Sequence, residues 1–473
     1  MTFEERVGEA LASSMSWLQA QRWFGDKSRT LVGVSVELFA SVQLRADRAA
    51  LIVARCAFDT GADSLYFVPL VGFQNESTEA GAQPGRGHSV RDALTDTDFL
   101  AWLLAGFQDR RAATATGTWT WSATHGSDRE LALVDVYDSR VMDVEQSNTS
   151  IMFDHRIMAK VFRRLQPGIN PDLEVTRYLT ETAEFAHVPR VYGVLELEHD
   201  GKTYVLGALQ QFVTNVGDGW GWLLEELRNL TRERRSALLA DVSLLGRRTA
   251  ELHVALGADT SDEAFRPDAM TSEQSTLLSG RVVEELERTI ALLRARSAGT
   301  DEDLAELETK LRRRIGETKA LVGTLQIRVH GDYHLGQVLR TVDHDFAIID
   351  FEGEPSRSIA QRREKFSPLR DVAGMLRSLD YAVGASTKAV SNAQHIALIR
   401  DWGKDARASY LTGYRGAIGK GDPRLVPATD ETFDAALHVL EIEKSLYEAR
   451  YEMDNRPDWL SIPLGALFDL ARL

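Results

Sequence analysis

The chain of 473 residues is long enough for two or three domains with cores of their own. It is 44% hydrophobic and 26% charged, as a soluble globular protein is, and its formal charge of −15 argues against nucleic acid or an anionic membrane surface as a general partner. Cys56 is the only cysteine, which excludes an intramolecular disulfide and a thiolate metal cluster. The N-terminal stretch MTFEERVGEALASSMSW lacks the profile of a signal peptide, and no apolar run reaches the ~18 residues that suggest a membrane span, so a cytoplasmic chain is expected.

In chain order, residues 1–30 open with a helical pattern and then QRWFGDKSR. VGVSVELFASVQL, LIVARCAFDT and SLYFVPLVGF alternate polar and apolar residues as strands do, and the Gly-, Glu-, Gln- and Pro-rich segment from Asn75 to Gly87 reads as a surface loop. A helix is expected over 91–109. LALVDVYD, SIMFDHRIMAKVF, VYGVLELEHDG and KTYVLGALQQFV then read as strands, with helical spacing in PDLEVTRYLTETAEF between them. From about 218 onward the apolar residues recur at three- and four-residue steps, as in helices, in 223–256 and 276–322 among others. Strands with one helix, followed by helices carrying a short strand pair, predict a bilobal α+β arrangement. The expected divisions are 1–125, an N-terminal subdomain, 126–214, strand-rich, and 215–473, helical.

The chemical signal is His330-Gly331-Asp332-Tyr333-His334-Leu335-Gly336-Gln337, followed by Ile349-Asp350-Phe351-Glu352. A loop aspartate such as Asp332 can take a proton from a substrate hydroxyl. An amide and a later carboxylate, Gln337 and Asp350, can hold Mg2+ against a nucleotide, and Glu352 is a candidate third ligand. His330 and His334 lack a further His or Cys partner, so they are read as fixing the loop by hydrogen bonds. Upstream, Lys160 sits among apolar residues on an expected strand and Glu174 in the first turns of the next helix, a lysine–glutamate pair suited to nucleotide phosphates. In EQSNTS, Ser147 and Asn148 offer amides and hydroxyls to phosphate oxygens; a polar hairpin turn is the plain alternative. In SPLRDV, Arg370 and Asp371 open a helix and could brace the catalytic loop.

Positions 444, 448, 452 and 456 share one face of a C-terminal helix and carry Lys, Glu, Glu and Arg, with Tyr447 and Tyr451 beside them and Trp459 beyond. A solvated ladder of i, i+4 ion pairs would account for that face. A sugar site would account for it too, since hydroxyls need acceptors and the apolar face of a sugar needs an aromatic ring.

QRWFGDKSR, EQSNTS, AKVFRRLQPGINPDLE, HGDYHLGQVLR, IDFEGEP, SPLRDVAGMLRS and EKSLYEARYEMDNRPDWLSIPL together resemble the maltokinase-like and glucosamine kinase group within the aminoglycoside phosphotransferase, protein-kinase-like superfamily. The resemblance implies a bilobal protein-kinase-like fold with an N-terminal cap, ATP and Mg2+ as cofactors, and phosphoryl transfer to a small-molecule sugar, with a monomer favoured. It implies Lys160 on the phosphates held by Glu174, Asp332 as base, Gln337 and Asp350 on Mg2+, and the Gln211-Phe212-Val213 backbone against adenine. Asp332, Tyr447, Glu448, Tyr451, Glu452 and Arg456 are the expected sugar residues. This chain reads RWFGDKSR where maltokinases read closer to RW(F/Y)AGK(G/N)R, and its C-terminal helix is more acidic. Coulomb attraction of nearby carboxylates for an ammonium at a partly desolvated site is worth ~1–4 kcal/mol, which favours glucosamine over maltose. The expected product is glucosamine 6-phosphate, the alternative maltose 1-phosphate. A kinase-shaped binding protein without activity would be expected to have lost Lys160, Asp332 or Asp350, and all three are present.

Overall fold

The computed structural model describes residues 1–45, 47–74, 91–124, 126–142, 148–354 and 357–473. The chain divides into two compact units, one of residues 1–174 and 189–213, the other of 175–188 and 214–473.

The first unit is built on antiparallel sheets. In one, the long strands Leu31–Gln43 and Asp47–Phe58 pair along most of their length, and Asp47–Phe58 pairs in turn with Ser64–Phe67 and Leu70–Gln74. The helices Phe3–Ala12 and Met15–Ala20 cover it, and Val7, Leu11, Leu18, Trp23 and Phe24 join Ile52, Ala54 and Tyr66 in one core. The RWFGDKSR segment is therefore structural. Trp23 and Phe24 are buried, and Asp26 accepts from Tyr66 Oη at 2.6 Å and pairs with Arg29 and Arg164. Burial works to raise the Asp26 carboxyl, but Tyr66 and the arginines outweigh it and hold it below its ordinary range.

The seven-stranded sheet runs in the order Ala112–Ala115, Gly117–Ala123, Val191–His199, Lys202–Gln211, Ile157–Phe162, Asn148–Phe153, Ser139–Met142. The helix Thr97–Gln108, capped by the Asp96 side chain, closes the core over it. The residues between 97 and 108 are helical as expected, while 91–92 form a strand instead. The stretch from 131 departs further from expectation. Residues Asp128–Ala132 form a short helix and 133–138 carry no strand, so the apolar alternation of LALVDVYD was misleading.

The second unit is helical around a small antiparallel sheet of Asn215–Asp218, Val338–Thr341 and Phe346–Ile348. Thr231 and Thr300 cap new helix starts with their hydroxyls, which breaks the long helical patterns into Gly219–Arg228, Arg232–Leu256, Ser272–Ala295 and Asp301–Ile315. Arg232–Leu256 and Ala393–Ile418 cross backbone to backbone at two glycines. A Cβ on Gly246 would fall 2.0 Å from the Tyr410 carbonyl oxygen, and one on Gly413 would fall 1.9 Å from that of Ser243. Among the described residues no helix is long and apolar enough to cross a membrane.

Candidate active site

Asp332 lies in the loop between the strand Leu325–Gln326 and the 3-10 turn Leu335–Gln337. The loop is held from below by Asp371, in the first turn of the Leu369–Ala389 helix. Asp371 accepts the backbone N–H of His330 at 2.8 Å and of Gly331 at 3.0 Å, and lies 3.2 Å from His253 Nε2. His253 Nδ1 meets Tyr414 Oη at 2.9 Å. Burial works to raise the Asp371 carboxyl, and His253, His330 and the Gly331 amide outweigh it, keeping it below the usual carboxylate range. A second buried set braces the same loop, with Thr249 Oγ1 between Tyr333 Oη at 3.1 Å and Tyr410 Oη at 2.9 Å. The Leu369–Ala389 backbone comes so close that a Cβ on Gly374 would lie 2.6 Å from the Tyr333 carbonyl oxygen.

The histidines behave as the sequence suggested. His330 Nε2 contacts the Ile349 carbonyl at 2.9 Å, tying the loop to the residues just after the strand Phe346–Ile348, and His334 Nδ1 accepts the Gly336 N–H at 3.0 Å. His334 Nε2 stands 4.0 Å from Asp332. Burial pushes the His334 imidazole below its ordinary value, only partly opposed by Asp332.

Gln337 Nε2 donates to Asp350 Oδ2 at 3.0 Å, and the Ile349 N–H donates to the Gln337 carbonyl at 3.0 Å. Asp350 holds a left-handed backbone at φ +69°, a strained conformation that concentrates at functional sites. Carboxylate oxygens of Asp350 and Glu352 lie within 4.8 Å of one another, and both residues are half-buried. Oxygen-rich, half-buried and close, this set fits the hard-donor demands of Mg2+.

In the first unit, Lys160 is nearly fully buried on a central strand, in register with Ser150 and Ala208. One carboxylate that meets its Nζ, at 3.1 Å, is that of Asp172, two residues ahead of Glu174. Asp172 is 2% exposed, and its helix, Pro171–Arg177, starts where Asn170 Oδ1 accepts the Leu173 N–H. Glu174 follows on the same helix, half-buried. Asn148 is buried in the neighbouring strand; Ser147 lies outside the described residues. The N–H groups of Gln211 and Phe212 already donate to the carbonyls of Arg190 and Arg156, each at 2.8 Å, and Val213 is the last residue of the first unit.

The helical face named in the sequence turns inward. Tyr447, Glu448, Tyr451, Glu452 and Arg456, on the Asp430–Asn455 helix and just after it, line one cavity of about 420 Å³ together with His334, Tyr381 and Trp459. A second cavity of about 410 Å³ contains Asp332 and shares Lys444, Tyr447 and Gly374 with the first. The solvated ladder is therefore set aside at Glu448 and Glu452, which are 9% and 1% exposed. Glu448 Oε2 accepts from Arg377 Nε at 2.9 Å, while Oε1 makes no hydrogen bond among the described residues. Desolvation holds the Glu448 carboxyl above its ordinary value despite Arg377 and Lys444. Glu452 is saturated, with Oε1 accepting from Tyr381 Oη at 3.0 Å and Arg456 Nη2 at 2.7 Å, and Oε2 from Arg456 Nε at 3.0 Å.

Sequence reasoning missed Asp172, Tyr381 and the role of Lys444, whose Nζ lies 3.5 Å from Asp332 Oδ1. Tyr381 carried no local signal. Lys444 did, as the first member of the helical face that the sequence had singled out.

The Maltokinase N-terminal cap domain family matches residues 17–96. A glucosamine kinase of Streptacidiphilus jiangxiensis is 28% identical over 407 residues, covering 82% of this chain and 89% of that protein. A second, of Mycolicibacterium smegmatis, is 27% identical over 334 residues, covering 69% and 78%. Among solved structures, a glucosamine kinase in its crystal form B superposes with a TM-score of 0.70 at 25% identity over 100% of both chains. A glucosamine kinase in complex with glucosamine, ADP and inorganic phosphate gives 0.69 at 24% identity over 99% of both. The chain thus has the α+β fold of the solved glucosamine kinases, with an N-terminal cap, as the resemblance implied.

Proposed function

We propose that this chain is an ATP-dependent sugar kinase that transfers the γ-phosphoryl group of ATP to the 6-hydroxyl of D-glucosamine. Full-length likeness to glucosamine kinases supports the kinase reading. The observation that carries the substrate is the 420 Å³ cavity, adjoining the Asp332 cavity and lined by Glu448, one of whose carboxylate oxygens accepts no hydrogen bond among the described residues. In this reading residues 1–125 form the cap, 126–214 the nucleotide-binding part, and 215–473 carry the catalytic loop and sugar site.

Asp332 takes or orients the proton of the acceptor hydroxyl, whose oxygen bonds to the γ-phosphorus as the bond to the ADP oxygen breaks and ADP keeps the electron pair. Lys160, kept in place by Asp172, meets the nucleotide phosphates, with Asn148 and Ser147 as further phosphate donors and the Gln211–Val213 backbone against adenine. Gln337, Asp350 and Glu352 hold Mg2+, which when bound neutralises phosphate charge. Glu448 Oε1 reads the sugar ammonium; Tyr447, Tyr451 and Trp459 face the ring. Glu452, already saturated, fixes Arg456 and Tyr381 and so shapes the wall.

Maltose is the second reading, favoured by the cap match over residues 17–96. A coupled ADP-release assay across glucosamine, N-acetylglucosamine, glucose, maltose and an aminoglycoside separates them. Selective turnover of glucosamine, with Glu448→Gln raising its KM by about 10-fold or more and leaving glucose unchanged, is the expected result. Turnover of maltose alone replaces glucosamine as the substrate, and no turnover of any sugar removes the kinase reading.

A further inference from the structure

Lys444 stands where the two cavities meet. It lines both, together with Gly374 and Tyr447, and its Nζ is 3.5 Å from Asp332 Oδ1 and 5.3 Å from the centre of the Tyr447 ring. Among the described residues it makes no hydrogen bond, so its ion pair with Asp332 is its principal polar tie and its donors stay uncommitted. Burial works against the ammonium, but Asp332, Glu448, Glu354 and Tyr447 outweigh it, and Lys444 is more firmly protonated than an ordinary lysine. The other group beside the carboxylate, His334, has its Nε2 4.0 Å from Oδ2. The carboxylate is thus differentiated, with an ammonium 3.5 Å from Oδ1 and an imidazole 4.0 Å from Oδ2.

We propose that Lys444 is a positioning residue for Asp332, its ammonium holding Oδ1 so that Oδ2 is presented to the acceptor hydroxyl. This rests on Asp332 being the base. An unaccompanied carboxylate would rotate between its two oxygens and would repel the incoming triphosphate. A cation at 3.5 Å fixes the first and offsets the second without being consumed. Lys444 arrives from the sugar-lining helix, one turn before Glu448, so the element that reads the acceptor also aims the base.

Lys444→Gln, Lys444→Arg, Asp332→Asn and the Asp332→Asn/Lys444→Gln pair test this with steady-state and single-turnover kinetics. Lys444→Gln should lower kcat about 100-fold while the KM values for ATP and sugar stay within about threefold, and Lys444→Arg should recover most of the loss. The double variant should be no slower than Asp332→Asn alone, within about twofold, because Lys444 acts only through that carboxylate. A raised sugar KM with unchanged kcat, or multiplicative losses in the double variant, would overturn the proposal and make Lys444 an independent ligand of sugar or phosphate. If Lys444→Gln fails to fold by thermal melt, the cycle of Lys444→Met with Asp332→Asn decides by the same criterion. A wild-type enzyme inert on every sugar defeats the kinase reading itself, whereas active wild type with an unimpaired Lys444→Gln defeats only this inference.

Discussion

Arg377 donates from Nε to Glu448 Oε2 at 2.9 Å, and Arg377 is 1% exposed. The pair is the inner end of a chain of charges. Arg377 Nη1 donates to Asp380 at 2.8 Å, Asp380 accepts from Arg407 at 3.0 Å, and Arg407 donates to the buried Glu441 at 2.6 Å. The floor of the cavity lined by Glu448 is therefore ionic behind its first layer, and while one carboxylate oxygen of Glu448 is committed to Arg377, the other makes no hydrogen bond among the described residues.

Removing the arginine strands a buried carboxylate. Arg377→Met should cost about 3–5 kcal/mol in urea unfolding, the usual loss when one partner of a buried pair is deleted. Arg377→Met/Glu448→Gln should recover part of it. An Arg377→Met variant as stable as wild type would show that the pair does not hold the helices together.

Asp332→Asn keeps the size of the side chain and removes the carboxylate proposed as the base. Turnover should fall by about 10²–10⁴-fold, while the affinity for ATP, read by calorimetry, should change less than twofold. Wild-type turnover in this variant would rule Asp332 out as the base.

Asp371 gives a pH signature. Its folded carboxyl is held below the ordinary 3.8, so its stabilising bonds are complete above the unfolded value and are lost as pH falls through the lower folded value. Asp371→Asn should be less stable than wild type by about 1–3 kcal/mol at pH 6–8. That gap should narrow below about pH 4, as the wild-type carboxyl also protonates. A gap independent of pH down to acid unfolding would contradict the charge-based account.

The helix crossing predicts opposite effects of one substitution at two glycines. Gly246→Ala drives a Cβ to 2.0 Å from a backbone carbonyl and should cost about 2 kcal/mol or more, because backbone cannot give way as a side chain can. Gly416→Ala, on the partner helix with nothing within 4 Å, should gain about 0.5–1 kcal/mol from helix propensity. Comparable melting temperatures for the two variants would contradict the close crossing.

Much of this was legible in the sequence, because the legible parts are local. Alternation in IMAKVF marks a strand whatever it packs against, and a Gly-Asp loop before an apolar strand marks Asp332 and Asp350. The same alternation failed at LALVDV, where five residues from Asp128 coil into a helix. At the lysine, sequence spacing pointed to Glu174 and did not mark Asp172, which stands 3.1 Å from Lys160 Nζ, because which residues of a short helix face the strand depends on its phase. The helical face at 444–456 was visible as a pattern, yet not its burial. Tyr381, Arg377 and Asp332 close over it from residues 63 or more positions away, and no local periodicity encodes them.

The chain passes between its two units at 174/175, 188/189 and 213/214. Val191–His199 and Lys202–Gln211 are interior strands of the seven-stranded sheet, between Gly117–Ala123 and Ile157–Phe162. On the ribosome, the earlier strands must therefore wait with open hydrogen-bonding edges until residue 211 has emerged. By then the first piece of the helical unit, 175–188, has already been made and has nothing of its own unit to dock on. The birth of this protein thus contains a vulnerable interval, and its yield in a cell should depend on how quickly translation crosses those forty residues.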